Sequence, residues 1–161
     1  MPVEKKRIDI AFLLLKEEVI LTIAQGSEVL SEEVRKDFSF QSFIGADLAD
    51  ADFEGANLRR AIFDGANLEG ANLSNADMRN ASFVGANLMK AALDGADMRQ
   101  ARFKKAKLSL SNMQDAKLEG ADMRGIRGRY AVWRRADWWN ARMDETLSKA
   151  LKKKWPRSEN E

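Results

Sequence analysis

The sequence contains no cysteine and no histidine. The first absence removes disulfides, thiolate nucleophiles and half of the usual zinc ligands; the second removes the side chain that most often moves protons near neutral pH. Most familiar catalytic constellations are thereby excluded, and no cofactor is expected. Long apolar runs are missing too: no stretch approaches the ~20 residues of a membrane span. Lys5, Lys6 and Arg7 precede an apolar run at residues 11–15, but Lys16, Glu17 and Glu18 interrupt it and no small-residue cleavage site follows. A secretory leader is therefore not expected, and the sequence predicts a cytoplasmic protein without a membrane partner.

What is present suits one packed domain: 161 residues, 45 % hydrophobic and 32 % charged. The net charge of +2 is unevenly placed. Residues 1–100 carry 11 Lys/Arg against 17 Asp/Glu, and residues 101–161 carry 16 against 8, so a −6 piece joins a +8 piece. In an elongated fold this becomes a dipole able to orient a partner or a second copy.

A period of five runs without insertion from Gln41 to Glu145, which is 21 units. The central residue of each unit is large and apolar in 20 of them, as in Phe43, Leu48, Phe63, Leu68, Phe83, Leu88, Phe103 and Leu108, with Gly128 the exception. Two residues earlier stands alanine in 18 units, Ala46 and Ala66 among them; Gln41, Ser111 and Ile126 depart. A helix of 3.6 residues per turn drifts out of phase with this pattern within a few units. A strand's period of two cannot hold one phase across an odd repeat unless the chain turns once per unit. A coil with flat sides, pointing one large and one small residue inward per side, satisfies both constraints.

The motif A-(D/N)-(L/F)-x-x, as in Ala46-Asp47-Leu48, Ala51-Asp52-Phe53 and Ala66-Asn67-Leu68, resembles the pentapeptide repeat family over about two thirds of the chain. That resemblance implies an all-β solenoid, a right-handed quadrilateral parallel β-helix of about five coils with four units per coil. Residues twenty apart should then stack. Residue type follows this longer period: Phe43, Phe63, Phe83 and Phe103 form one column, Leu48, Leu68, Leu88 and Leu108 a second, and Leu58, Met78, Met98 and Leu118 a third. Four large side chains per layer fill the interior, so the small positions are expected to tolerate nothing larger than alanine.

Open solenoid ends need covering against edge-to-edge pairing. Residues 1–40 are read as an N-terminal helical cap, with Ile8, Phe12, Leu15, Val19 and Ile23 at helical spacing; the repeat is assigned to 41–145, and residues 146–161 to a C-terminal helix and tail. In that last segment Leu147, Ala150, Leu151 and Trp155 mark an apolar face opposite Lys149, Lys152, Lys153 and Lys154. Its roles are a lid over the last coil or, alternatively, a homodimer interface. The unit Ile126-Arg127-Gly128-Arg129-Tyr130 swaps large and small volumes, which marks either a local repacking or a ligand-contacting turn.

Asp or Asn directly precedes the centre in eleven units. Short Asx side chains bond their own backbone at turns, which this fold needs at its corners. Some pentapeptide repeat proteins resemble a DNA duplex and bind type II topoisomerases, so a DNA-mimicking modulator of gyrase is the alternative function. Against it, Arg59, Arg79 and Arg99 recur at twenty-residue spacing beside Asp77 and Asp97, and Arg124, Arg127, Arg129, Arg134 and Arg135 crowd the C-terminal third. Nucleic acid is disfavoured as a partner, since Trp133 and Trp138 are centres and only Trp139 points outward within the repeat. Outward carboxylates such as Asp50 and Asp52 lack a cleft to perturb them, which argues for a non-enzyme. The leading expectation is a non-catalytic protein-protein interaction or scaffolding protein whose partner is unknown. The candidate interface is Leu110, Tyr130, Val132, Arg135, Trp139, Leu147, Leu151 and Trp155.

Overall fold

The computed structural model describes residues 36–156. The chain winds as a repeat β-solenoid in which parallel β-bridges join residues twenty apart, from Asp37↔Asn57 to Asp122↔Arg142. Each bridge is a single residue flanked by turns, and no extended strand forms among the described residues. The five-residue unit explains this: two of its residues are consumed by the corner, leaving too few to extend a strand.

Each N–H of the unit 76–80 has a destination, as the backbone requires when its groups are taken from water. In the unit 76–80, Ala76 N–H closes the turn on Leu73 O at 3.2 Å, and Asp77 N–H reaches back one coil to Ala56 O at 2.9 Å. Met78 and Asn80 N–H groups reach forward to Asp97 O at 2.8 Å and Arg99 O at 3.1 Å. Arg79 N–H, which no carbonyl meets, is accepted by the Asp77 side chain at 3.3 Å. Asp52, Asn57, Asn67, Asn72, Asn87, Asp97, Asn112 and Asp122 do the same for the residue two positions on. The Asx residues before the centres are thus part of the main-chain bonding.

The interior is a set of ladders. Phe43, Phe63, Phe83 and Phe103 stack with centroids 4.8, 4.9 and 4.9 Å apart and planes within 14°. That spacing matches the ~4.8 Å between neighbouring β-strands, so coil rise and ring stacking reinforce one another. Leu48, Leu68, Leu88 and Leu108 are equally buried, as are Ala46 and Ala66. Ser111 fills one alanine slot and is fully buried; its hydroxyl donates to Leu108 O at 2.7 Å, satisfying it within its own turn. At the inverted unit a Cβ on Gly128 would lie 3.8 Å from both Ile126 Cδ1 and Trp133 Cζ2, so these two side chains occupy the space that a central residue leaves.

The regular pattern starts one unit earlier than the sequence indicated. Phe38 is buried as a centre and its N–H donates to Asn57 O at 2.8 Å, so residues 36–40 belong to the solenoid and not to a helical cap over 1–40. Lys36 in the alanine slot hides this unit in the sequence. The remainder of the expected N-terminal helix, including Ile8, Phe12, Leu15, Val19 and Ile23, lies outside the described residues.

At the other end the pattern yields. Residues Trp138–Asn140 tighten into a 3-10 turn, and helix α1 (Glu145–Lys154) follows. Leu151 of α1 is buried, Leu147 and Trp155 pack against the core, and Trp138 Nε1 donates to Trp155 O at 3.3 Å. Two carboxylates close the final edge. Asp137 accepts the Leu118 N–H, and Asp144 accepts the Gly125 N–H at 2.7 Å, where main-chain carbonyls serve in earlier coils.

Candidate functional site

Corners of the solenoid are turns whose last residue has a positive φ, which glycine tolerates best. Glycine fills many of these positions, for example Gly65 at φ 67°. Leu110 and Tyr130 occupy the same kind of corner at φ 64° and 62°, one coil apart, with Leu110 N–H donating to Arg129 O at 2.9 Å. Both side chains face water, at 51 % and 69 % exposure, and Val132 beside them is 37 % exposed. An apolar side chain held in a left-handed conformation is disfavoured by backbone and by solvent alike, so the structure of the coil gives no reason for either residue.

Basic groups stand at this corner and at the next one along the coil. Arg129 lies over the Tyr130 ring at 5.4 Å. Arg135 binds the Asp115 carboxylate through two nitrogens at 2.5 and 2.7 Å. That guanidinium holds the Asp115 carboxyl down to about 2.

Four of the arginines that argued against a duplex mimic, Arg79, Arg99, Arg124 and Arg135, are paired with aspartates. Arg79 binds Asp77 in bidentate fashion at 2.8 and 2.6 Å, Arg99 binds Asp97 at 2.8 and 2.5 Å, and Arg124 binds Asp122 at 2.8 and 2.6 Å. The Arg124 guanidinium lowers the Asp122 carboxyl to about 2. These faces present alternating charge rather than a run of either sign.

The eight candidate interface residues therefore divide. Leu110 and Tyr130 share one exposed corner with Val132 next to it, Arg135 stands at the following corner on Asp115, and Leu147, Leu151 and Trp155 turn inward from α1. Trp139 is half-buried against the core, with its ring edge-on to Trp138 at 5.9 Å. Exposed Phe40 and Ile44 were not singled out by sequence, although Phe40 sits at a corner position and lies under Arg60 at 5.6 Å. Extending the period by one unit would have revealed it.

Among the described residues no group of acidic side chains is placed to hold a metal ion, and no helix is long and apolar enough to cross a membrane.

The sequence matches the family of pentapeptide repeats in 8 copies, over residues 35–60, 61–100 and 86–125. Among solved structures it is similar to a pentapeptide repeat protein of the Arabidopsis thaliana thylakoid lumen, at 28 % identity, covering 82 % of this chain and 85 % of that one, with a TM-score of 0.47. It is similar also to HetL of Nostoc sp. strain PCC 7120, a protein involved in heterocyst differentiation regulation, at 27 % identity over 69 % of this chain and 65 % of that one, with a TM-score of 0.28. Full-length QnrB1, a plasmid-mediated fluoroquinolone resistance protein, is 17 % identical over 73 % of this chain and 89 % of that one, with a TM-score of 0.28. No curated protein matches the chain.

Proposed function

The chain belongs to the pentapeptide repeat family, and from that premise we propose that it is a non-catalytic scaffold that binds a protein partner through the Leu110–Tyr130–Val132 corner. One observation carries this reading: two large apolar residues, a coil apart, are both exposed and both held at positive φ. The corner requires the positive φ but not an exposed apolar side chain held in it, and the two residues together present an apolar ridge with Arg129 against the Tyr130 ring. A partner with an apolar anchor and an acidic border complements that ridge. The same reading takes the solenoid as a right-handed quadrilateral β-helix of about five coils, with α1 as its C-terminal lid, and places the protein in the cytoplasm.

The lid role is favoured over a homodimer interface because the apolar face of α1 is turned toward the coil. The paired Arg–Asp faces oppose duplex mimicry, since a mimic needs an unrelieved negative face.

The test uses the intact protein as bait in an extract of its source, beside a Leu110→Asp, Tyr130→Asp variant of unchanged circular dichroism. A partner retained by the parent and lost by the variant supports the proposal. Equal capture by both proteins contradicts it, and dose-dependent inhibition of gyrase supercoiling by the parent would replace it with the topoisomerase reading.

A further inference from the structure

Three of the six large apolar side chains exposed among the described residues, Phe40, Ile44 and Ile62, lie at the opposite end from the Leu110–Tyr130–Val132 ridge. Parallel bridges Ser42↔Ile62, Ile62↔Ser82, Ser82↔Arg102 and Arg102↔Asp122 stack units 41–45, 61–65, 81–85, 101–105 and 121–125 into one side of the solenoid. Phe40 is the corner that opens this side, and Val84, half-buried, continues the Ile44 column. The other edge is bare: a Cβ added at Gly45, Gly65 or Gly85 would meet nothing within 4 Å. Such a patch calls for a cover.

The charges along the side name the cover. Its first three units carry only Asp64, its fourth carries Arg102, Lys104 and Lys105, and in its fifth Asp122 and Arg124 pair with each other. None of the ion pairs among the described residues uses Asp64, Arg102, Lys104 or Lys105. Asp64 accepts the Ser82 hydroxyl at 2.5 Å and the Val84 N–H at 3.0 Å, both at Oδ1, which fixes the carboxylate and leaves Oδ2 for a cation.

This arrangement complements itself. A two-fold axis lying across the side at Ser82 and Val84 turns the solenoid end for end and sets each column against the same column of a second copy. Asp64 then meets Lys104 of the second copy, Lys105 meets the bare Gly65, Phe40 meets Gly120, and Val84 meets its own mate. A two-fold along the solenoid would instead set Asp64 on Asp64 and Lys104 on Lys104. Moving the antiparallel axis to Ile62 would also oppose the two Asp64 carboxylates, and would leave the basic units uncovered.

We infer that this side is the interface of an isologous, antiparallel homodimer. It covers Ile44 and Ile62 with the aliphatic stems of Arg124 and Arg102 and forms the Asp64–Lys104 pair twice by symmetry. Five units stacked ~4.8 Å apart make a small interface, so the dimer is weak and reversible. Units 106–110 and 126–130, which carry Leu110 and Tyr130, lie outside it, so the dimer is independent of the partner proposed for the ridge.

Sedimentation velocity of the full chain in low salt should show a monomer–dimer equilibrium in the micromolar range that weakens as salt rises. Lys104→Glu, at an exposed position, should weaken it about tenfold, because two attractions become two repulsions. The chain has no cysteine, so a single Val84→Cys reports the axis alone. A short bismaleimide should join two copies through it, and should leave Leu110→Cys monomeric. A single monomeric species at ~100 µM would overturn the interface, as would a dimer unaffected by Lys104→Glu in a variant of unchanged circular dichroism. Linkage from Leu110→Cys as strong as from Val84→Cys would overturn the register.

Discussion

The Asp137 carboxylate accepts the Leu118 N–H that a main-chain carbonyl would take in the coils below. The substitution occurs where Trp138–Asn140 tightens into a 3-10 turn and Gly120 N–H shifts its acceptor to Asn140 O at 3.0 Å. One side chain thus lets the solenoid stop without leaving an interior donor unpaired.

Burial pushes the Asp137 carboxyl up from its ordinary value, more than the Leu118 hydrogen bond lowers it. A carboxyl whose pKa is raised by folding favours the folded state while protonated, and loses that contribution as pH rises through the raised value. Asp137→Asn, which keeps an acceptor without a charge, should therefore be at least as stable as the parent at pH 7. Asp137→Ala should lose about 1–3 kcal/mol for the unpaired N–H. Urea unfolding of the three proteins checks both expectations; a Asp137→Asn less stable than Asp137→Ala contradicts them.

Asp115 and Asp122 have the opposite sign. Their arginine partners hold both near about 2 in the fold, against about 3.9 for a free aspartate. The resulting stabilisation is present above the unfolded value and is lost as pH falls from about 4 toward about 2. A variant carrying Asp115→Asn and Asp122→Asn should show a smaller fall in melting temperature between pH 5 and pH 2 than the parent. Identical falls would show that the two pairs contribute nothing; Asp115 is well exposed, so a modest effect is expected.

Phe83 sits between Phe63 and Phe103 at 4.9 Å from each. Phe83→Ala should cost about 3–5 kcal/mol, since neighbouring coils cannot collapse onto the cavity while their hydrogen bonds hold the spacing. Ala66→Leu inserts volume where Ala66 is buried in a full layer and should cost about 1–3 kcal/mol. Thermal unfolding checks both, and an unchanged transition for Ala66→Leu would refute its inward position.

Much of this was legible because the period is unbroken. Columns such as Phe43, Phe63, Phe83 and Phe103 follow from position alone, and the alanine rule located Ala46 and Ala66 in the interior. What sequence missed departs from periodicity through side-chain chemistry. Asp137 and Asp144 look like ordinary Asx or outward residues, yet each replaces a carbonyl at the last edge. The unit at Lys36 was hidden by one substituted residue. The burial of the C-terminal apolar residues was not legible, because an amphipathic helix shows which face is apolar and not which surface it covers; Leu151 is buried, while Tyr130 is not.

Leu110 offers a way to separate stability from binding. Leu110→Gly relieves a left-handed conformation at φ 64° and removes an exposed apolar side chain. It should raise stability by up to ~1 kcal/mol while weakening partner capture, and loss of both would place Leu110 in the support of the coil instead.

The most direct test is site-specific photo-crosslinking from a benzoylphenylalanine placed in turn at positions 130, 110 and 90 of one corner column, in an extract of the source. The account predicts a discrete heavier adduct from 130 and 110, on the apolar ridge, and none from 90, where Lys90 pairs with Glu69 at 3.0 Å. Equal adducts from all three positions, or adducts from 90 alone, would contradict a partner seated on the Leu110–Tyr130–Val132 corner.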